Sequence, residues 1–413
     1  MIDICSPVFE AEVVEDNLKD GYWLQPVDVD GDGRPDLVAS GLAEGEVVWY
    51  RNPGWTKRRI ARFDKTVSLD AGDIAGAGRM DIVACHDYGE CMFNCRPQDG
   101  RISWLRNPGT PDAEDWEVRH VGDLVATHRL RLGSFTRAGA GELLALPVVG
   151  AGGGSEAVHQ PVRATLFTRP ADVMTAGRWE QQVVDEETFR VVHGVAQERD
   201  GRDRDRLLVA SEEGLSWFGC GADGRWEHAN LSTGELGQQP RTGFKGSGNV
   251  AVGRVGGERH AYMAAVEPFH GNTVAVYTPA GGGWTRHVVD VFGDPNERGE
   301  GAAHHVVAAD FDGDGDDEFL VALRGPMPWQ GVFYYKAIDV AQALFVKVRV
   351  SSESAARIAV ADFDGDGRLD FATTGYYTPG YFLCDQPRVM VFANRFGTPV
   401  VGQPAIPGGP LGG

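Results

Sequence analysis

The chain has 413 residues, 42% of them apolar, with 56 glycines and a formal net charge of −20. A surface this acidic repels phosphate backbones and anionic lipid heads, which sets aside nucleic acid and membranes as partners. No run approaches the roughly 20 apolar residues of a membrane-spanning helix, and six cysteines are too few for a disulfide scaffold.

Met1 to Glu10 lacks a basic region followed by an apolar run, so no secretory signal is visible and a cytoplasmic location is expected. A secreted chain shorn of its leader would read the same. Phe9-Glu-Ala-Glu-Val-Val14 is a lone strand that resembles Trp116 to Val121. A repeat begins after it. Asp28-Val-Asp-Gly-Asp-Gly-Arg-Pro-Asp36 precedes the apolar run Leu37-Val38-Ala39. A worn copy, Asp73 to Asp81, precedes Ile82-Val83-Ala84. Fainter copies fall at Ser134 to Leu143, Glu198 to Leu207 and Gly253 to Tyr262, and two full copies stand at Asp310 to Glu318 and Asp362 to Asp370. The seven copies are spaced by roughly 45–65 residues, in or above the range of propeller blades.

The second half of the unit recurs too. Aromatic-rich strands appear at 47–50, 102–105, 164–167, 215–218, 274–277, 332–335 and 389–392, and most are followed by an alternating strand such as Trp116 to His120 or Trp284 to Val288. Four short strands per unit and seven units predict an all-β, seven-bladed β-propeller over residues 1–401. The seventh unit ends at Phe396 without its outer strand, and Phe9 to Val14 is the strand expected to complete it and close the ring. Residues 402–413, rich in Gly and Pro, are expected to form a disordered tail.

The pattern Asp-x-Asp-Gly-Asp-Gly-x-x-Asp sets carboxylates at alternate positions around a glycine turn, as hard cations require. It predicts Ca²⁺ (or Mg²⁺) at Asp28, Asp30, Asp32 and Asp36, at Asp310, Asp312, Asp314 and Glu318, and at Asp362, Asp364, Asp366 and Asp370. The segments resemble the FG-GAP or VCBS repeats of integrin-type propellers. Each lies between the first and second strand of its blade, where an ion staples a turn and does no chemistry. Cys85, Cys91 and Cys95 cluster beside His86, but their spacing does not match a zinc knuckle.

Chemistry is expected on the opposite face. The first strand of each blade lines the channel, so the residue five places before each loop falls at one end of it. Those residues are Trp23, Ser68, Arg129, His193, Gly248, His305 and Arg357, with Leu24, His128, Ser247, Asn249 and His304 beside them. The loops joining strands two and three add His86, Asp87, Tyr88, Glu212, Glu267, His270, Asn272, Arg324, Tyr376 and Tyr377. A lone histidine at a strand end is ordinarily a satisfied polar group, and His120, His228 and His287 on outer strands receive no role. Convergence of His86, His128, His193, His270, His304 and His305 on one face marks a site. Histidine is a base or acid near neutral pH. Arginine, or a divalent metal such as Zn²⁺ held by His270 and His304, would stabilise an enolate. The set suits proton abstraction next to a carbonyl. His128 or His193 is expected to be the base, Arg129 or Arg357 to hold the enolate oxygen, and His305 or Tyr377 to assist the leaving group. Trp23, His86, Tyr88, Lys245, His270 and Asn272 are expected to bind substrate.

At these residues the sequence resembles the N-terminal propeller of the aldos-2-ulose (1,5-anhydro-D-fructose) dehydratases. The matching segments include Asp20-Gly-Tyr-Trp23, Gly100 to Gly109, His128-Arg-Leu with Phe135-Thr-Arg137, Phe269-His-Gly-Asn-Thr273, Asp290-Val-Phe-Gly293 and Pro379-Gly-Tyr-Phe382. The resemblance implies β-elimination of water from a keto-sugar with bound divalent metals. Larger members carry cupin-like domains for a later isomerisation, and nothing here resembles them, so the elimination step alone is implied. His86 and Lys245 depart from the family pattern, which bears on substrate preference. A small sugar is thus the expected partner, and homodimerisation stays open. Three other readings remain: a polysaccharide lyase acting on rhamnosyl-glucuronate ends, a non-catalytic binding propeller, and a glycoside hydrolase, for which Glu212 and Glu267 are the only carboxylate candidates.

Overall fold

A computed structural model describes residues 7–397, apart from 111, 152–156 and 202. The expected tail, 402–413, lies outside them. The described chain forms seven four-stranded antiparallel sheets and one two-stranded hairpin. Each sheet meanders outward from the channel, and the innermost strands are Trp23–Val27, Ser68–Gly72, Thr127–Gly133, Gly194–Arg199, Asn249–Val255, Ala303–Ala309 and Arg357–Ala361. This is the predicted seven-bladed propeller.

The reason lies in how each strand is covered. Second strands such as Asp36–Ser40, Asp81–His86 and Glu318–Arg324 are buried throughout, because a neighbouring blade packs on each face. Outer strands are largely exposed or half-buried, as in Glu180–Asp185. Closure follows the sequence reading. Phe9–Glu15 pairs antiparallel with Val389–Asn394, from Phe9 opposite Asn394 to Glu15 opposite Val389. The Phe9 ring packs edge-on against Phe371 at 4.9 Å, Phe396 at 5.7 Å and Phe311 at 6.1 Å, so the first strand is locked into the last blade.

Among the described residues, two second-to-third connections carry elements of their own: a short helix, Cys91–Asn94, in blade two, and the hairpin Tyr377–Thr378 with Phe382–Leu383 in blade seven. Both join second to third strands, on the face opposite the Asp-Gly loops.

Candidate active site

Three imidazoles meet at the mouth of the channel. His193, His270 and His304 are 1%, 4% and 3% exposed, and one ring nitrogen of each lies within 4.8 Å of the others. Each ring is fixed from behind. His193 Nδ1 lies 2.9 Å from the Gly248 carbonyl, which can only accept, so that nitrogen carries the proton and Nε2 keeps its lone pair. His304 Nδ1 donates likewise to the Ala356 carbonyl, and its buried Nε2 meets no partner. His270 Nε2 is 3.1 Å from His193 Nε2, and its Nδ1 is 3.5 Å from Glu300 Oε1. Nδ1 also faces the Arg324 guanidinium at 3.4 Å; moving the His270 proton to Nδ1, towards Glu300, would turn it from that donor and free a third lone pair.

The histidines reach this point by different local devices. His304 is the extra residue of a β-bulge: Ala303 pairs with Leu323 and His305 with Ala322, leaving His304 unpaired. His128 is the extra residue of a second bulge, between Thr127 opposite Pro147 and Arg129 opposite Leu146. Bulges re-aim side chains at sheet rims. His270 has φ +45°, a left-handed backbone that costs a non-glycine residue on the order of 1–3 kcal/mol. Phe269 stacks on its ring at 4.0 Å and holds it in place.

Burial sets the charges. Loss of solvent pushes His270 down to about 4, helped by the Arg324 guanidinium. Burial likewise carries His128, His193 and His304 well below the usual imidazole range. All four rings are neutral at pH 7. Burial raises Glu300, but the charges and hydrogen bonds of Arg324 and His270 together overcome it and hold that carboxyl down to about 2. Arg324 grips Glu300 at 2.7 Å, the Gly301 carbonyl at 2.9 Å and the Tyr376 hydroxyl at 3.2 Å.

Beside the trio, Tyr22 Oη lies 2.9 Å from His128 Nε2, and Arg129 approaches the same nitrogen at 3.3 Å. Both are donors towards it, so His128 Nε2 holds a lone pair. The Tyr22 ring is 5.6 Å from His304 and 6.2 Å from Tyr376, and the Tyr88 ring is 6.1 Å from His128.

The remaining expected residues lie elsewhere. Trp23, His305 and Arg357 line the channel below the trio. His86 is stacked on Phe63 and bonded to Ser103 at 2.8 Å. Tyr377 is half-buried in the inserted hairpin, and its neighbour Tyr376 faces His304 at 5.0 Å. Asn272 donates to the Gly293 carbonyl. Lys245 is half-buried and acts on Glu212, which pairs with His159. Glu267 is fully buried, held by Arg286 at 2.7 Å and Ser247 at 2.8 Å, which removes it as a hydrolytic carboxylate. Tyr22 and Glu300 were not read from the sequence as site residues. A signal for Tyr22 was its place just before the ring position held by Trp23, matching His128 before Arg129.

On the far face, Asp28 accepts from the Gly31 and Gly33 amides, and Asp310 and Asp362 repeat that turn. Asp28 clusters with Asp30 and Asp32, and Asp362 with Asp364 and Asp370. In the Asp310 loop Lys336 Nζ contacts Asp312, Asp314 at 2.7 Å and Glu318 at 3.2 Å.

Residues 99–280 match the β-propeller domain of aldos-2-ulose dehydratase, and residues 28–84 match an FG-GAP-like repeat. An aldos-2-ulose dehydratase from Phanerodontia chrysosporium is 37% identical over 424 residues, covering 94% of this chain. The chain is thus similar to the β-propeller part of an aldos-2-ulose dehydratase. It spans 46% of that relative's length. Among solved structures, a chain of the mitotic checkpoint complex aligns with TM-score 0.53 at 10% identity, over 95% of this chain and 96% of that one, which speaks to the fold alone. The dehydratase-type segment holds His128, His193 and His270, whereas Tyr22, Glu300 and His304 lie outside it.

Proposed function

We propose that this chain is a carbon–oxygen lyase that removes water from a keto-sugar by β-elimination next to the carbonyl. The observation that carries this is the neutral trio His193, His270 and His304, with two rings pinned at Nδ1 by carbonyls and the third backed by Glu300. Neutral imidazoles with such supports suit a divalent ion such as Zn²⁺. Bound there, that ion would act as a Lewis acid on the carbonyl oxygen of the sugar.

The rest falls to the chain's own groups. His128 Nε2, whose lone pair meets Tyr22 and Arg129 at rest, takes the proton on the carbon next to the carbonyl. The Tyr22 hydroxyl donates to the departing oxygen, which leaves as water. His128 then returns its proton to Tyr22 across their 2.9 Å contact, so both are reset. Tyr22 thus fills the role that the sequence suggested for His305 or Tyr377. The charge of Arg129, 3.3 Å from His128 Nε2, disfavours a resting imidazolium and keeps the base unprotonated. On the far face, Ca²⁺ or Mg²⁺ at the Asp28 and Asp362 loops would staple turns. The Asp310 loop already holds the Lys336 ammonium.

Elimination next to a carbonyl creates a conjugated chromophore. Ultraviolet absorbance is therefore expected to rise with 1,5-anhydrofructose or glucosone, to stop with chelator and to return with Zn²⁺. A rise only with a rhamnosyl-glucuronate oligosaccharide would move the assignment to a polysaccharide lyase. No rise with any of the three would sink the lyase reading.

A further inference from the structure

The channel below the trio gathers positive charge, most of which the elimination does not use. A cavity of about 590 Å³ runs there, between the inner strands. Arg129, Arg131 and Arg357 project into it around one indole, with guanidinium carbons 5.2, 6.0 and 3.5 Å from the Trp23 ring. The wall also carries Asp70, Glu198, Asp317, Arg254 and Arg259. Four of these form pairs among themselves: Arg254 with Asp317 at 2.8 Å and Arg259 with Glu198 at 2.8 Å. That leaves three guanidiniums facing Asp70, whose oxygens already accept from the Leu132 amide at 2.6 Å and the Ala71 amide at 3.0 Å.

Arg131 is partly met by the Leu130 carbonyl at 2.6 Å and the Val195 carbonyl at 3.1 Å. Arg129, 1% exposed, finds the His128 carbonyl at 2.9 Å and the His128 ring. The Arg357 guanidinium, half-buried at the channel wall, has no hydrogen bond or ion pair among the described residues and stands over the Trp23 ring. A guanidinium does not deprotonate in a protein, and like charges gathered in a partly desolvated channel without a counter-charge are unfavourable. Desolvation, with the Arg129 and Arg131 charges, acts against the Arg357 cation. A further donor is present. The Ile358 amide donates to His305 Nδ1 at 3.2 Å, so the neutral His305 ring carries its proton on Nε2.

We propose that the central channel is a binding site for a small oxyanion, a carboxylate or a phosphate, held by Arg357 and Arg129 with His305 beside them. The planar guanidinium fork matches two oxygens of such a group. The net charge of −20 keeps anions off the outer surface, so the channel is a local exception to it. The site is separate from the trio, since His193, His270 and His304 do not line this cavity.

Calorimetric titration of the full chain with sodium phosphate, and separately with sodium acetate, at constant ionic strength tests this. Saturable one-to-one binding of at least one of them is expected, weakened at least tenfold in Arg357→Gln and unchanged in His304→Gln. Arg357→Lys, which keeps the charge and loses the fork, is expected to fall between the two and serves if Arg357→Gln does not fold. No saturable binding of either anion would overturn the proposal. So would binding kept in the Arg357 variants and lost in His304→Gln, which would place the anion at the trio instead.

Discussion

The two ends of the channel are built from the same strands by opposite rules. At the Asp-Gly end the repeat is obeyed to the level of single hydrogen bonds. Asp36 accepts from Val29 and Asn52, Asp81 from Ala75 and Asn107, and Asp370 from Phe363 and Asn394, each bond between 2.7 and 3.0 Å. Each of those asparagines then reaches the preceding blade: Asn52 to the Phe363 carbonyl, Asn107 to Val29 and Asn394 to Phe311. At the other end the blades diverge, although three and six share a bulge. Blade three gives His128, blade four His193, blade five His270, and blade six His304 with Arg324. Repetition joins the blades, and its loss in one ring of positions gives the site its asymmetry. A substitution at the repeating end should therefore cost stability, and one at the other end activity.

The largest effect is expected from His128→Ala. Loss of a general base lowers kcat by about 10²–10⁴-fold, while the urea midpoint stays close to that of the parent. Unchanged turnover of a keto-sugar in this variant would remove His128 from the chemistry. Next comes pH. Unfolded imidazoles take a proton below about pH 6.5. In the folded chain burial delays His270 until about pH 4 and holds His128, His193 and His304 well below the usual range. The unfolded state then binds more protons, so stability present above pH 6.5 is lost as pH falls towards 4. The loss is about 1.4 kcal/mol per pH unit for each imidazole. Urea unfolding at pH 7 and pH 5 reads this, and equal free energies at the two values would contradict neutral buried rings.

At the repeating end, Asp370→Ala orphans the Asn394 and Phe363 amides, at on the order of 1–3 kcal/mol for each buried donor. The thermal midpoint should fall by several degrees, with turnover per folded molecule retained. Glu300→Gln acts on both stability and the site, because it also takes the counter-charge from buried Arg324. It keeps the shape but removes the carboxylate behind His270, and a lost support of this kind weakens metal binding by about 10–100-fold. Zn²⁺ titration against a competing chelator measures it, and a fold that stays intact separates this outcome from misfolding.

The propeller was legible because its signals are local and repeated: a glycine turn, an apolar run and an aromatic strand recur in register, and the missing seventh outer strand pointed to Phe9. The site was legible as a ring of positions but not in its fine aim. A strand sends neighbours to opposite sides, so Tyr22 and Trp23, His128 and Arg129, and His304 and His305 each divide between the trio's end and the channel below. The bulges at His128 and His304 make that division, and a bulge leaves no composition signal of its own. Glu300 was missed because it stands just before an inner strand, and its meaning comes from Arg324, 24 residues later, folding back at 2.7 Å.

The smallest expected effect sharpens the comparison from within the repeating end. Three loops carry the full acidic pattern, and among the described residues only one is crossed by an ammonium, from Lys336 on the third strand of blade six, while the Asp362 loop meets the Arg395 guanidinium at Asp364 and Asp366. Strand pairing puts Lys336 opposite Glu318, and the same place in blades one and seven is held by Arg51 and Ala393. Arg51 reaches a single carboxylate, Asp30, at 2.6 Å, and leaves Asp28 and Asp32 to other partners. Burial, with Asp312, already pushes Glu318 up to about 7 despite the ammonium. In Lys336→Met those carboxylates lose their counter-charge, and the loop should then respond to Ca²⁺ as a hard-cation site. Thermal unfolding with and without millimolar Ca²⁺ should show a lower starting midpoint than the parent and a larger rise. Each tenfold excess over the dissociation constant adds about 1.4 kcal/mol. An identical Ca²⁺ response in parent and variant would mean that the lysine is not standing in for an ion, and that blade six follows the same rule as blades one and seven.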